Sequence, residues 1–289
     1  MKVAIMTDSN SGITQKEANE LGIFVLPMPF TINGQEFEED INLTQDEFYD
    51  KLMTGAEVFT SQPAAGEVTK FFDNILKEYD QIVHIPMSSG LSGSCQTALM
   101  LAQEDEYKEK VYVVDSQRIS VTQKWDVLDA LALSKQGKDA KEIHDILMDN
   151  KLNASIYITV NTLEYLKKGG RITPAAAALG GLLKIKPILT IQGEKLDSFQ
   201  KTRTMAKASK IMIDAITKDI KERIDDSEDM SNTRIMIAYT YDKDQALEFK
   251  KQVEEIFPNH EVICDPLSLS IACHIGPHSL AIAACKKII

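Results

Sequence analysis

The first half of the chain alternates short apolar runs with amphipathic stretches, and this alternation constrains the fold more than any other feature. Val3–Met6, Phe24–Leu26, Ile82–Ile85 and Val111–Val114 are brief, rich in β-branched residues and bounded by turn or polar residues. Strands buried on both faces look like this. Between them lie helical patterns. Thr14–Leu21 opens on a Thr cap with Glu17 at capping-box spacing, and Leu43–Met53 repeats the device with Thr44 and Glu47. Val68–Tyr79 sets Phe71, Phe72, Ile75, Leu76 and Tyr79 at helical intervals, and Leu91–Gln103 and Trp125–Gln136 complete the set. Strands alternating with helices predict βαβ units and a mostly parallel sheet.

A second unit is predicted to begin near Ser155, giving two α/β domains, 1–154 and 155–289. Ile156–Val160 reads as a strand, Leu163–Ile172 as a helix stopped by glycine, and Ala175–Leu183 as a small-residue helix in close packing. Ile188–Ile191 and Leu196–Phe199 flank a turn at Gly193 and predict a hairpin. Met205–Arg223 is a long amphipathic helix, Arg234–Thr240 a strand, Ala246–Phe257 a helix and Glu261–Cys264 a strand. The predicted C-terminal domain is the smaller, with a mixed or antiparallel sheet. Asp225–Asp229 reads as a solvated acidic loop.

Composition narrows the function classes. The chain has 289 residues, and 32 Lys+Arg against 43 Asp+Glu leave a net charge of −11. Such a balance argues against a general nucleic-acid binder, which needs cations to replace phosphate counterions. A 44% hydrophobic fraction supplies ample core. Cys95, Cys264, Cys273 and Cys285 form no CxxC pair and no disulfide framework, and read as reduced thiols of a cytoplasmic protein. The opening apolar run, closed by Thr7-Asp8, is shorter than a signal peptide's apolar region, and no run has the length of a membrane span. There is no HExxH or other metal spacing, so no metal is expected.

In open α/β sheets ligands bind at the carboxyl ends of strands. Three strand ends here present hydroxyls and carboxylates: Thr7-Asp8-Ser9-Asn10-Ser11-Gly12, Ser88-Ser89-Gly90-Leu91-Ser92-Gly93-Ser94, and Asp115-Ser116. Thr60-Ser61-Gln62-Pro63 adds two more hydroxyls before a helix. The Ser88–Ser94 loop has two readings. Its hydroxyls and the amides of the next helix suit an anion, or its serines simply cap that helix. It is not a Walker loop, because no GK[ST] follows. A catalytic reading is also open: Gly90-Leu91-Ser92-Gly93-Ser94 nearly matches the hydrolase elbow, with Asp115 and His274 following in hydrolase order. Against it, Pro86–Gly90 separates Ser92 from its strand. His84 reads as a core residue, and His144 and His260 as exposed.

The ordered set of motifs resembles the DegV family, which includes the fatty-acid-binding subunits of bacterial fatty acid kinase. The motifs are Met6-Thr7-Asp8-Ser9, Thr60-Ser61-Gln62-Pro63, Ser88 to Gly93, Asp115-Ser116, Leu166 to Ile172, Lys201 to Thr204 and His274-Ile275-Gly276-Pro277. The resemblance spans nearly the whole chain. It implies a non-enzymatic protein with a long-chain fatty acid held between two domains as its ligand, without a cofactor. It also implies a kinase subunit as partner, which phosphorylates the bound acid for phospholipid synthesis. Carried over by motif, the carboxylate meets Thr60 or Ser61 and Ser92, with the Gly93 backbone and His274 nearby, and Arg203 serves partner or transient membrane contact. A carboxylate suits such hydroxyls and amides. Leu163, Leu166, Leu179, Leu182, Leu183, Ile185 and Ile188 are the expected apolar supply for the tail. The chain departs from the family pattern at Ser120-Val121-Thr122-Gln123-Lys124-Trp125, where Thr122 and Lys124 replace glycines, and at His278. The replacements at Thr122 and Lys124 predict a shorter or differently bent chain, or another carboxylate ligand. The competing functions are an acyl hydrolase or esterase using Ser92 and His274, and a sensor of a small anion.

Overall fold

A computed structural model describes residues 1–39, 41–179 and 185–289. The N-terminal half runs β1 (Val3–Asp8), α1 (Gln15–Leu21), β2 (Phe24–Leu26), β3 (Phe30–Ile32), β4 (Gln35–Phe37), α2 (Gln45–Met53), β5 (Val58–Thr60) and α3 (Ala65–Ile75). It continues through β6 (Gln81–Ile85), α4 (Ser94–Leu101), β7 (Val111–Val113), α5 (Val121–Lys135) and α6 (Ala140–Asn150). Strands β2-β1-β6-β7 form a parallel sheet, as their apolar runs require. Both capping boxes form: Thr14 Oγ1 accepts from the Glu17 amide at 3.1 Å and Thr44 Oγ1 from the Glu47 amide at 3.4 Å.

The C-terminal half runs β8 (Ala154–Thr159), α7 (Glu164–Gly169), α8 (Pro174–Ala178), β9 (Lys186–Ile191), β10 (Asp197–Thr202) and α9 (Met205–Asp219), which a π-helical turn (Ile220–Ile224) extends. Then follow β11 (Thr233–Tyr239), α10 (Lys243–Ile256), β12 (Val262–Pro266), α11 (Leu269–Ile275) and β13 (Leu280–Lys286). The sheet order is β10-β9-β8-β13-β11-β12, antiparallel except for the parallel β11–β12 pair. The fold is α/β with one parallel and one mixed sheet, as expected.

Three features escape the sequence pattern. Strands β4-β3-β5 make a small antiparallel sheet whose Phe30, Phe48 and Leu52 core packs on Leu269, Ala272 and Cys273 of α11. Helix α6 fills the stretch before β8. Strand β13 pairs with both β8 and β11 in the middle of the second sheet. Helix α4 starts at Ser94 rather than Leu91, so Leu91–Gly93 belong to the loop. Leu182 and Leu183 lie outside the described residues.

One face of the mixed sheet packs under α9 and α10. The other face joins residues of both halves in a single apolar cluster, with Met28, Met87, Leu91 and Ile119 against Ile156, Ile158, Leu189 and Ala281. Buried charge crosses the same boundary. Arg234 of β11 makes two 2.7 Å bonds to Asp129 of α5 and stacks on Trp125 at 4.1 Å. Lys124 bridges Glu17 (3.0 Å) and Asp265 (3.1 Å). Among the described residues, no helix is long and apolar enough to cross a membrane.

Candidate functional site

Thr60 ends β5, and the Ser61 amide that follows is held by the Pro29 carbonyl at 3.1 Å. Helix α11 brings His274 to this strand end, where its Nε2 lies 2.8 Å from Thr60 Oγ1. The last turn of α7 fits against the imidazole only because residue 169 is glycine: a Cβ there would fall on His274 Nδ1. Arg171 lies beside them, its Nε donating to the Leu91 carbonyl at 3.1 Å. Burial, and then the Arg171 charge, push the His274 pKa down to about 4. The ring is therefore neutral at physiological pH, with one donor and one acceptor nitrogen.

The loop after β6 supplies Ser92 and Gly93. Ser92 Oγ accepts from the Ser94 amide at 3.2 Å, and Gly93, at the N-cap of α4, offers no side-chain cap. Gln62 reaches across to Gly93 and Thr97, with Nε2 donating to Thr97 Oγ1 at 3.0 Å. The remaining loop polar groups brace the backbone. Asp8 accepts from the Met87 amide (2.8 Å) and the Asn10 amide (3.0 Å), and burial raises its pKa. Ser89 Oγ donates to Asp115 at 2.6 Å. Ser88 Oγ donates to the Gly193 carbonyl of the β9–β10 turn. Gly90 has no room for a Cβ, because the Gly193–Glu194 backbone lies against it.

Thr60, Ser61, Ser92, Arg171 and His274 line one cavity of about 850 Å³, including its open mouth. Most of the wall is apolar: Met28, Met87, Leu91, Ile119 and Val121 on one side, Leu166, Leu196, Leu267 and Ile271 on the other. The sheet contributes Ile156, Ile158, Ile191, Ala238, Ala281 and Ala283 as the floor. Polar groups in this wall that sequence reasoning missed are Asn10, Ser120 and Ser270, with Ser270 Oγ donating to Asn10 Oδ1. Asn10 and Ser120 sit in stretches the sequence singled out, whereas Ser270 lies on the unread helix α11. Of the described residues expected to supply the tail site, Leu166 alone lines the cavity. Leu163 and Leu179 belong to the surrounding cluster, and Ile188 packs on the opposite face of the sheet.

A second depression of about 570 Å³ meets the first at Thr60, Arg171 and His274. Its wall carries exposed Phe59 and Lys168 and half-buried Tyr165, with Lys168 Nζ 4.5 Å from the Phe59 ring centre. Arg203 is exposed between β10 and α9 and is not part of the cavity wall. Thr122 and Lys124 also lie off this wall: Thr122 Oγ1 donates to the Ile119 carbonyl at 2.9 Å, and Lys124 holds its two carboxylates. The three residues of the hydrolase reading bond elsewhere, His274 to Thr60, Asp115 to Ser89, and Ser92 to the Ser94 amide. His84 is buried in β6, where desolvation lowers its pKa to about 4. His144 and His260 are half-buried rather than exposed, bonded to Asp145 and to the Met230 carbonyl. Three of the thiols are buried and Cys264 is half-buried. Among the described residues, no group of three or more His, Cys, Asp or Glu could hold a metal ion.

Comparison with known proteins agrees across the length of the chain. The profile of a family described as "Uncharacterised protein, DegV family" matches residues 2–287. A DegV domain-containing protein of Staphylococcus aureus strain N315 is 30% identical over 286 residues, covering 99% of each chain. A solved structure described as fatty acid binding of a DegV family protein from Thermus thermophilus superposes with a TM-score of 0.88, at 28% identity, covering 99% of this chain and 100% of the other. DegV from Bacillus subtilis, described as a fatty acid binding protein, superposes with a TM-score of 0.86 at 26% identity, over 99% and 100%. A fatty acid binding DegV family protein from Streptococcus agalactiae gives 0.86 at 28%, over 99% of each chain.

Proposed function

The chain belongs to the DegV family, and on that footing we propose that it binds a long-chain fatty acid in the 850 Å³ cavity. The carboxylate sits at the Thr60–His274 end, and 1–154 and 155–289 act as two domains closed around the tail. The observation that carries this reading is the Thr60–His274 pair, 2.8 Å apart, in the wall of a mostly apolar cavity. With the imidazole N–H donating to Thr60 Oγ1, the threonine hydroxyl keeps its own proton for a carboxylate, and such charge-assisted bonds are the strong ones. Ser61, Ser92 and the Gly93 backbone complete the head-group surround. Each buried methylene contributes roughly 0.8 kcal/mol, so a long tail offers on the order of 10 kcal/mol before binding costs.

The finer reading is that the protein presents its ligand to a kinase subunit, without itself being an enzyme, for acyl phosphate formation in phospholipid synthesis. The outer depression supports it, because it approaches the same Thr60–His274 pair from the solvent side. Phe59, 53% exposed beneath Lys168, is a surface that a partner protein could cover. With a net charge of −11, broad attraction to an anionic membrane is unfavourable, so any membrane contact is transient and local, around Arg203. Denaturing extraction of the purified protein followed by mass spectrometry tests the core reading. A stoichiometric fatty acid is expected. No lipid in the extract, together with no uptake of added palmitate or oleate, would refute it.

A further inference from the structure

The acyl cavity neighbours a second cavity, and two side chains line both. The strand register gives the direction. Helix α11 ends beside Thr60, so β13 leaves from the head-group end. Along β13, Ala281 pairs with Ile158, Ala283 with Ile156, and Cys285 with Ala154. Ala281 and Ala283 line the acyl cavity, and Cys285 does not. Ala154 and Ser155 instead line a cavity of about 320 Å³, together with Gln117, Arg118 and Gln192. Ser155 and Ala154, one and two residues beyond Ile156 at a rise of about 3.3 Å per residue, thus line the second cavity and not the first. Ile156 and Ile191 line both. They are direct cross-strand partners of β8 and β9, so their side chains project from the same face of the sheet. Both are 8% exposed.

We infer that the Ile156–Ile191 pair is the end-stop that limits the length of the acyl chain, a specificity role that rests on the fatty-acid reading of the cavity. Two features reinforce the stop. The compartment behind it is walled by Gln117, Arg118 and Gln192, so an acyl terminus gains little by entering while the isoleucines stand. Thr122 lines only that rear compartment, with its hydroxyl closed onto the Ile119 carbonyl. The replacement of glycine at 122 therefore narrows space that the acyl chain does not reach, and the end-stop decides the length.

The test is a competition on the full-length, delipidated protein. An equimolar mixture of myristate, palmitate, stearate and arachidate is offered, and the bound acids are extracted and weighed by mass spectrometry. In Ile156→Ala/Ile191→Ala the bound distribution shifts to longer acids. The stearate-to-palmitate ratio rises about fourfold for each extra methylene buried. Thr122→Gly alone leaves the wild-type distribution in place. Ala283→Val, which thickens the same row from the cavity side, shifts the distribution to shorter acids and keeps the test usable should the double variant fold poorly. An unchanged distribution in a folded double variant, or in Ala283→Val, overturns the end-stop. A shift produced by Thr122→Gly alone also overturns it. Failure of the wild-type protein to take up any of the four acids overturns the fatty-acid reading itself, and the end-stop with it.

Discussion

The low proton affinity of His274 makes a quantitative prediction about acid stability. Its pKa falls from the ordinary 6.5 to about 4 because the ring is buried and faces Arg171. Between those two values the unfolded chain holds a proton that the folded chain does not. Stability contributed by this group is therefore complete above pH 6.5, declines as pH falls towards 4, and changes no further below it. At about 1.4 kcal/mol per tenfold change in proton affinity, the gap sets a ceiling of about 3 kcal/mol, and about 2 kcal/mol after allowing for the solvent-facing edge of the ring. Other groups titrate nearby. His84 acts in the same direction, while Asp126, raised by burial to about 6, opposes both. The comparison that isolates His274 is a pair of urea titrations, at pH 7.5 and pH 4.5, on the lipid-free wild type and on His274→Gln. The wild type should lose about 2 kcal/mol more than the variant on acidification. Equal losses would refute a buried, neutral His274. The same logic reverses with ligand: a carboxylate beside the ring favours its charged form, so fatty acid binding near pH 5.5 should take up a proton in wild type and not in His274→Gln, measurable by calorimetry in two buffers of different ionisation enthalpy.

Removing the Thr60 hydroxyl as Thr60→Val should weaken palmitate binding about 10- to 100-fold, from loss of one bond to a charged group, and equilibrium binding to the delipidated protein checks it. Gly169→Ala should displace the imidazole, because the new methyl occupies the position of Nδ1. The expected costs are about 1–3 kcal/mol in urea unfolding and a loss of palmitate affinity comparable to that of Thr60→Val. Arg234→Met leaves Asp129 buried without its bidentate partner and should destabilise the protein by about 3 kcal/mol in urea unfolding near pH 7, with a smaller penalty near pH 4, where Asp129 can accept a proton.

The parallel sheet was legible because β1, β2, β6 and β7 are short β-branched runs, and the capping boxes at Thr14 and Thr44 were legible because they are purely local. Strand β13 was not, and its sequence explains why. Leu280–Lys286 is largely alanine and cysteine, with little β-branching, and no turn signal brackets it at both ends. Two of the alanines that hide the strand, Ala281 and Ala283, are the ones that leave space above the sheet. Strands β3–β5 were missed because Thr, Gln and Glu interrupt their three residues, whereas β2 and β7, equally short, are unbroken apolar runs. In the site, Thr60 and His274 came from a motif set rather than from spacing, since 214 positions separate them and only the packing of the small sheet on α11 unites them. Asn10, Ser120 and Ser270 carry no individual signal in the sequence. Arg171 lay inside a quoted motif, but its orientation into the cavity depends on the α7–α8 connection.

The apolar cluster that joins the two halves is also the wall of the cavity. A ligand tail in this cavity, as proposed, adds its hydrocarbon to that cluster. On the function proposed above, the lipid is a removable part of the fold, and every occupied molecule is harder to unfold by an amount set by the free lipid concentration. Molecules emptied by hand-over to a partner then become the ones most exposed to proteases. The copy number of the protein in a cell would follow the supply of fatty acid with no change in its synthesis.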